Sequence, residues 1–241
     1  MKVTLTIIFF LFAFYTTNAQ TTSVQKRSIL DEKSVVRGED GQVYPAEIWK
    51  KLIQTGKYAI KSRNTTTENG AQEWVIYQLS AEQHQLLMDR MPKPRQSDSF
   101  VEGAKFDGFK TSDINGDKYD FRKITGKIIV LNFWFINCPP CKAEIPELNN
   151  LVDQYKDNDD IIFIAIALDG KNELKDFLTK TPFNYKIIDN ARYIAQKYGV
   201  KSYPTHVVID KSGTIKFSTL GLAPNTIPWL KKSIEAALVL N

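Results

Sequence analysis

The sequence predicts an α/β protein in which a central mixed sheet has helices on both faces and a small α+β unit precedes it. From residue 100 onward, strand and helix patterns alternate and end in a hairpin and a helix, as in sheets covered on both faces. A nearly continuous apolar run at 127–135 is typical of a buried strand. Hydrophobic residues make up 43% and charged residues 24% of the 241 residues, which suits one large or two small globular domains.

The amino terminus has the pattern of a signal peptide over residues 1–19. Lys2 precedes a 13-residue apolar run, and Ala19 offers a cleavage site. A membrane span takes roughly 20 residues, so we expect cleavage and not anchoring. No cysteine directly follows the run, which excludes a lipid anchor. We therefore expect export to the periplasm or another extracytoplasmic space, where disulfides persist.

A small unit of unassigned role is predicted between this segment and the main domain. Residues 20–37 are polar and predict a flexible leader, and residues 38–90 predict the α+β unit. Ser80 and Gln83 have the spacing of a capping box at the start of a helix. The proline-containing residues 91–99 cannot continue that helix and predict a linker. The other predicted elements of the unit are a helix at 45–53 and strands at 57–61 and 73–79.

Residues 100–241 predict the main α/β domain. Gly199 is placed to end a helix, and Asp210 to Gly213 have the composition of a hairpin turn. The predicted strands are 127–135, 161–168, 184–188, 205–209 and 214–218, and the predicted helices are 140–155, 172–180, 192–198 and 228–238.

The charge and the cysteine count exclude two classes of protein. The 32 Lys and Arg residues against 27 Asp and Glu give a formal net charge of +5, with no dense basic tract. We therefore expect no nucleic-acid partner. Two cysteines cannot build a disulfide-dense scaffold, but they can form one bond, one redox pair or half of a zinc site.

The two cysteines lie in the sequence Cys138-Pro139-Pro140-Cys141, where the strand at 127–135 meets the following helix. A bond that closes so short a loop stabilises the fold little, and such a bond suits thiol–disulfide exchange. The helix start favours a thiolate at Cys138, and we expect Cys141, one turn inside, to be less exposed. Cys138 is then the attacking thiol and Cys141 the resolving thiol.

Two other interpretations of the pair are a zinc site and an inert bond. Zinc would need two more ligands, and the only histidines, His84 and His206, are far apart in the sequence. We expect His206 to be a core histidine, and we expect neither a metal nor a cofactor.

The stretch 130–146 resembles the thioredoxin-fold family of TlpA- and ResA-like thiol-disulfide oxidoreductases. Tyr203-Pro204-Thr205 matches the cis-proline loop of the same fold, and residues 161–180 look like the extra αβ insertion of this group. The resemblance covers about residues 100–241 and implies a thioredoxin-like fold for them. It does not extend to residues 20–99.

The resemblance also implies roles for particular residues. Glu144 matches a carboxylate that is buried near the cysteine pair and handles protons, so the catalytic residues would be Cys138, Cys141 and Glu144. Asn132 stands where thioredoxin has a buried Asp, which leaves Glu144 as the acid beside the pair. Pro204 would be cis and pack against the cysteines.

A second set of residues is assigned to partner binding. Its members lie in the cis-proline loop and around the cysteine pair: Tyr203, Pro204, Thr205, Trp134, Pro139 and Pro140. Trp134 is also expected to be a core residue beside the site. Asn137 replaces the Trp that the family usually has just before the first cysteine, which changes the docking surface.

The function that the resemblance implies is reduction of disulfides in exported partner proteins. The partners are proteins with a disulfide or a dithiol, and electrons would come from a membrane-bound donor. Cytochrome c maturation is one pathway of this kind. The alternatives are a thiol oxidase or isomerase, and a cell-surface binding module on a thioredoxin scaffold.

Overall fold

The computed structural model describes residues 29–123 and 125–239, so the predicted signal peptide and residues 20–28 of the predicted leader lie outside the described residues. Its strands are β1 Val35–Arg37, β2 Val43–Tyr44, β3 Tyr58–Thr66, β4 Gln72–Gln78, β5 Lys110–Ser112, β6 Lys118–Asp120, β7 Ile128–Trp134, β8 Ile161–Ala167, β9 Lys186–Ile188, β10 Thr205–Ile209 and β11 Ile215–Leu220. Its helices are α1 Ala46–Gln54, α2 Ala81–Arg90, α3 Pro139–Gln154, α4 Lys171–Lys180, α5 Arg192–Lys197 and α6 Thr226–Val239.

The amino-terminal elements form a four-stranded sheet in the order β2-β1-β4-β3. Its small core contains Val36, Trp49 and Ile76. Strand β1 pairs with β2 and runs parallel to β4, so residues 35–37 belong to this sheet. The prediction that these three residues are part of a flexible leader is therefore wrong. Val36 is fully buried between its neighbours, and that burial orders the strand.

Helix α2 begins where the sequence predicts. The Ser80 hydroxyl accepts a hydrogen bond from the Gln83 N–H at 3.1 Å, and the Gln83 side chain accepts one from the Ser80 N–H at 3.0 Å. The capping box is thus confirmed, and it satisfies two backbone donors that the helix itself leaves free.

The main sheet has five strands in the order β11-β10-β7-β8-β9. Strands β7, β8 and β9 are parallel, and β10 and β11 are antiparallel to their neighbours, which makes the sheet mixed. Every residue of β7 is buried, as its continuous apolar run predicts for a central strand. Side chains of α3, α4 and α6 pack on one face, and α5 packs on the other with Phe100, Phe109 and Phe121. The predicted fold class is confirmed.

The segment predicted as a linker is bound to the main domain. The Arg95 carbonyl accepts hydrogen bonds from the Leu220 N–H and the Thr219 hydroxyl, and the Pro92 carbonyl accepts one from the Asn225 side chain. Further along, Gly103 and Ala104 exchange backbone hydrogen bonds with Ile215. Residues 92–104 therefore follow the outer edge of β11 and do not behave as a free connection.

The two units also contact each other directly. Lys57 Nζ lies 2.9 Å from Glu147 Oε1 on α3. A cavity of about 670 Å³ lies between α2 and the helices α3 and α6, with Met88 and Trp229 among its lining residues. The amino-terminal unit thus sits against the helix that carries the cysteines.

None of the helices in the described ranges has both the length and the apolar character needed to cross a bilayer.

Candidate active site

The cysteine pair forms a disulfide at the start of α3. Cys138 is the N-cap of the helix, and its sulfur accepts a hydrogen bond from the Cys141 N–H at 3.3 Å. Pro139 occupies the first helical position, where the missing N–H of proline costs no hydrogen bond. The free amides and the positive end of the helix dipole therefore act on Cys138 more than on Cys141.

Exposure does not separate the two cysteines. Cys138 is 3% exposed and Cys141 is 2% exposed, so both sulfurs are covered in the disulfide form. The expectation that Cys141 would be the less exposed cysteine holds only by this small margin, since both side chains lie in the same core cluster. The asymmetry between them lies in their backbone positions.

The loop before Cys138 is fixed by Asp169, a residue that the sequence did not single out. Asp169 follows β8, and its carboxylate accepts a hydrogen bond from the Ile136 N–H at 2.7 Å. Burial raises the pKa of the Asp169 carboxyl, although this hydrogen bond opposes the rise. The carboxyl ends of the parallel strands β7 and β8 meet at one edge of the sheet, which brings Asp169 next to the loop.

Three polar side chains come together in the core on the face of the sheet where α3 packs. They are Asn132 on β7, Glu144 on α3 and His206 on β10, and none is more than 3% exposed. Asn132 Nδ2 donates to Glu144 Oε1 at 3.0 Å and lies 3.3 Å from His206 Nδ1. His206 Nε2 lies 2.9 Å from the same Oε1. The angle between the two groups does not satisfy the geometry of a hydrogen bond.

Glu144 is thus buried on the helix that begins at Cys138, as expected, and its role in proton transfer stays a prediction. The burial predicted for His206 is also confirmed, and the structure adds its polar partners. Only the pairing of β7 with β10 sets Asn132 opposite His206. The sequence signal for this contact is the shared alternation with Val130 and Val208, which face the same core.

Glu144 also affects the pKa of Tyr185, which lies just before β9. Its pKa is raised well above the ordinary value, first by burial and then by the negative charge of Glu144. The phenol therefore stays protonated across the physiological range.

The cis-proline loop lies next to the cysteine loop. The Tyr203–Pro204 peptide bond is cis, as predicted. The rings of Tyr203 and Phe135 meet edge to face with centroids 5.4 Å apart. Phe135 directly follows β7 and begins the segment that leads to Cys138, so this contact joins the two loops.

Not all the residues assigned to partner binding are at the surface. Trp134 and Thr205 are each 1% exposed, so a partner-binding role for their side chains is wrong. The Trp134 ring packs on Phe177 and Phe183, as expected for a core residue, and the Thr205 hydroxyl donates to the Ser202 carbonyl at 2.8 Å. A residue's position next to a motif does not reveal which face of the strand its side chain occupies.

The remaining residues of that set divide into one buried and three accessible positions. Pro204 is buried, Pro139 is exposed, and Pro140 and Tyr203 are partly exposed. Asn137 is also exposed and stands beside Pro139. The accessible positions among these residues are therefore Asn137, the two prolines and Tyr203, none of which has a charged side chain.

Within residues 29–123 and 125–239, no group of three or more His, Cys, Asp or Glu side chains is arranged to hold a metal ion. The interpretation of the cysteine pair as half of a zinc site finds no second pair of ligands in this part of the chain.

Comparison with known protein families and proteins agrees with this geometry. Residues 103–218 match the AhpC/TSA family. The thiol-disulfide oxidoreductase ResA of Bacillus anthracis is 31% identical over 120 residues, which are 49% of this chain and 69% of the relative. The thioredoxin-like protein YneN of Bacillus subtilis is 28% identical over 142 residues, which are 58% of this chain and 80% of that protein.

The chain is also similar to a protein of known structure. The chain is similar to a Chlorobium tepidum protein described as a thiol:disulfide interchange protein DsbE, with a TM-score of 0.52 and 27% sequence identity. The match covers 58% of this chain and 99% of that one.

Proposed function

Because the chain belongs to the ResA-like thiol-disulfide oxidoreductases, we propose that it reduces disulfides of partner proteins outside the cytoplasm through Cys138 and Cys141. The observation that carries this proposal is a disulfide at a helix start with a buried carboxylate one turn beyond it. An inert structural bond would need neither feature.

The reaction proceeds in two steps from the reduced pair. The Cys138 thiolate attacks a partner disulfide, forms a mixed disulfide and releases one partner thiolate, which takes up a proton. Cys141 then loses its proton, and its sulfur attacks Cys138. This second step forms the Cys138–Cys141 bond and releases the second partner sulfur, so two electrons pass from the pair to the partner.

Glu144 is the acceptor for the Cys141 proton in this proposal. It lies three residues beyond Cys141 on α3, which places the two side chains on neighbouring positions of one helix face. With Asn132 unable to ionise, Glu144 is the acid that the motif places beside the pair.

Partner recognition is assigned to Tyr203, Pro139, Pro140 and Asn137. Pro204 is buried and forms the cis peptide bond with Tyr203. A partner segment would lie extended along this loop, in the manner of strand addition.

The reducing direction rests on the family resemblance, and electrons would then come from a membrane-bound donor. Cytochrome c maturation is a pathway in which such a reductant would serve. The measurement that tests the direction is the reduction potential of the pair in equilibrium with glutathione. We expect a value nearer to about −270 mV, as for thioredoxin, than to about −120 mV, as for DsbA. A value near the second figure would favour a thiol oxidase.

Export is proposed from residues 1–19 alone. Amino-terminal sequencing of the protein from its natural host should give a start near Gln20. Intact Met1 in the cytosol would contradict export while leaving the exchange chemistry untouched.

The division into an amino-terminal unit and a main domain is also a proposal, with the predicted boundaries of 38–90 and 100–241 moved to 35–90 and 92–241 by the pairing of β1 and the contacts of residues 92–104. In it, the first unit selects partners and takes no part in the chemistry, because it contains no cysteine. A binding module without exchange activity is the competing function, and failure of the reduced protein to open any disulfide would favour it.

A further inference from the structure

His206 is a buried ionisable group for which the exchange chemistry described above has no role. It lies on β10 two residues after the cis proline, is fully buried, and has Nε2 2.9 Å from Glu144 Oε1. A histidine that only filled core volume would gain nothing from a carboxylate at this distance.

The hydrogen positions follow from the third member of the group. Asn132 Nδ2 donates to Glu144 Oε1 and faces His206 Nδ1. An amide nitrogen offers hydrogens and no lone pair, so Nδ1 must be the acceptor. The neutral ring then carries its hydrogen on Nε2, the nitrogen that faces the carboxylate. Asn132 thus fixes the tautomer of His206, and its Nδ2 atom contacts both His206 and Glu144.

Burial explains why Glu144 needs such a partner. A lone carboxylate in the core is costly unless hydrogen bonds or an opposite charge compensate for lost water. Asn132 supplies one hydrogen bond, and His206 places its polar Nε2–H 2.9 Å from the same oxygen.

We propose that His206 is a positioning residue for Glu144: together with Asn132 it holds the oxygen Oε1, so that the other oxygen, Oε2, receives the proton that leaves Cys141. This inference rests on the proposed function and adds to it the partner of the acid. When the Cys141 sulfur forms its bond to Cys138, its proton passes to Glu144 Oε2, which has no hydrogen-bond partner within the described residues, while Oε1 stays beside Asn132 and His206. In the reverse reaction the proton returns to Cys141 as the bond opens.

Few other titratable groups face this pair from the packed elements. Helix α3 contributes the two cysteines, and the segment before β9 contributes Tyr185, which stays protonated. Strand β7 contributes Asn132 and Trp134, and β11 places Thr219 opposite His206, none of which titrates near neutral pH. A pH dependence that disappears with His206 is therefore assigned to the pair.

The test uses the reduced full-length protein and an aromatic disulfide whose two thiolates absorb light when released. The first release reports attack by Cys138, and the second reports resolution by Cys141. In His206→Gln we expect the second release to slow by about tenfold between pH 6 and 7, less than the roughly 10²–10⁴-fold that a proton-transfer group itself contributes, because His206 acts through Glu144. The first release should keep its rate. The difference should shrink at alkaline pH, where Cys141 is already deprotonated.

The chain contains a matched control. His84 on α2 is the other histidine, so His84→Gln makes the same change away from the cysteines. We expect both releases at the wild-type rate in that variant. Equal slowing of both releases in His206→Gln would mean a purely structural role and would overturn the inference.

A second measurement needs no variant and decides the matter if His206→Gln does not fold. Nitrogen-15 spectra of the wild-type imidazoles should show the His206 ring shifts changing between the reduced and disulfide forms, with His84 unchanged. Identical His206 shifts in both forms from pH 5 to 9 would overturn the inference. If Glu144→Gln slows the second release but His206→Gln does not, this inference fails alone. If wild type releases neither thiolate, the proposed function fails with it.

Discussion

Cys138 and Cys141 differ in what their backbone positions offer a thiolate. Cys138 receives an N–H hydrogen bond at the helix N-cap, whereas Cys141 lies within the first turn. The backbone position of Cys138, and not its exposure, is therefore the reason to propose it as the thiol that attacks the partner disulfide.

The first prediction concerns this division of labour. Cys141→Ser should accumulate mixed disulfides with partner proteins, because Cys138 attacks and no thiol resolves the product. Cys138→Ser should accumulate few. Non-reducing electrophoresis after acid quenching measures both, and equal trapping by the two variants would contradict the assignment.

The second prediction concerns the buried carboxylate. Glu144→Gln keeps the size of the side chain and removes its charge, so the fold should persist while resolution slows by about tenfold or more near neutral pH. The rate of disulfide exchange against pH measures the change. Glu147→Gln, one turn further along α3, is the matched control, because Glu147 faces Lys57 at the surface. Overlapping profiles for Glu144→Gln and wild type would contradict the proton role.

The site residues divide sharply by how far the sequence could predict them. The cysteines and Glu144 lie within one short motif, so spacing and resemblance are enough. The contact of Asn132 with His206 joins residues 74 positions apart and depends on strand register. Asp169 comes from the end of a neighbouring parallel strand, which motif spacing also cannot show.

At the scale of single elements, the hairpin between β10 and β11 shows how a turn is fixed. Asp210 accepts hydrogen bonds from the Ser212 N–H, the Ser212 hydroxyl and the Thr214 N–H, at 2.9, 2.7 and 2.9 Å. Gly213 has a φ of +79°, a conformation that glycine adopts readily. The Asp-Lys-Ser-Gly sequence predicted this turn, since each of its signals is local.

The third prediction concerns Asp210. Burial alone would raise the pKa of its carboxyl, but the hydrogen bonds from Ser212 and Thr214 lower it below the ordinary value of 3.8. The stabilisation by the ionised group is therefore present above that value and is lost as the pH falls through the lower, folded-state pKa. Asp210→Ala should destabilise the fold by about 1–3 kcal/mol at pH 7.

Urea unfolding at pH 7 and at pH 3 measures this effect. The difference between wild type and Asp210→Ala should be smaller at the acid pH. Asp157→Ala, at an exposed aspartate, is the control and should change neither value. A difference that grows on acidification would show that the sign is wrong.

Helices and strands could be predicted where their sequence pattern is long or complete. Strand β7 and helix α2 have extended apolar runs or a complete capping signal, and both lie where the sequence placed them. Strand β1 has three residues, too few for an alternation to be seen, and its order comes from pairing with β4. Short elements of this kind depend on tertiary contacts.

At the scale of the whole molecule, the contacts of residues 92–104 change where the main domain begins. The predicted start at residue 100 would remove the carbonyls of Pro92 and Arg95, which accept hydrogen bonds from two β11 residues and from Asn225 in the turn before α6. The sequence could not show this, because a proline-rich stretch looks the same whether it is free or bound.

The fourth prediction compares one truncated chain, which keeps residues 92–104, with the wild type. A chain of residues 91–241 should reduce a small generic disulfide at the wild-type rate and change its choice of protein partner, because it keeps the whole active site and loses the amino-terminal unit. Stopped-flow rates and partner trapping measure these two properties. A folded 91–241 chain that opens no disulfide would place the first unit within the active site.

The path of residues 92–104 also bears on the solubility of the molecule. A sheet edge with free N–H and C=O groups is a template for pairing with another chain, and aggregation starts there. Here Arg95, Gly103 and Ala104 occupy hydrogen-bonding groups along β11, while the Ile114 N–H donates to the Ile187 carbonyl on β9. Both outer strands of the five-stranded sheet are thus covered by the chain's own backbone. Loss of the β11 cover should therefore appear first as concentration-dependent self-association, before any loss of disulfide exchange.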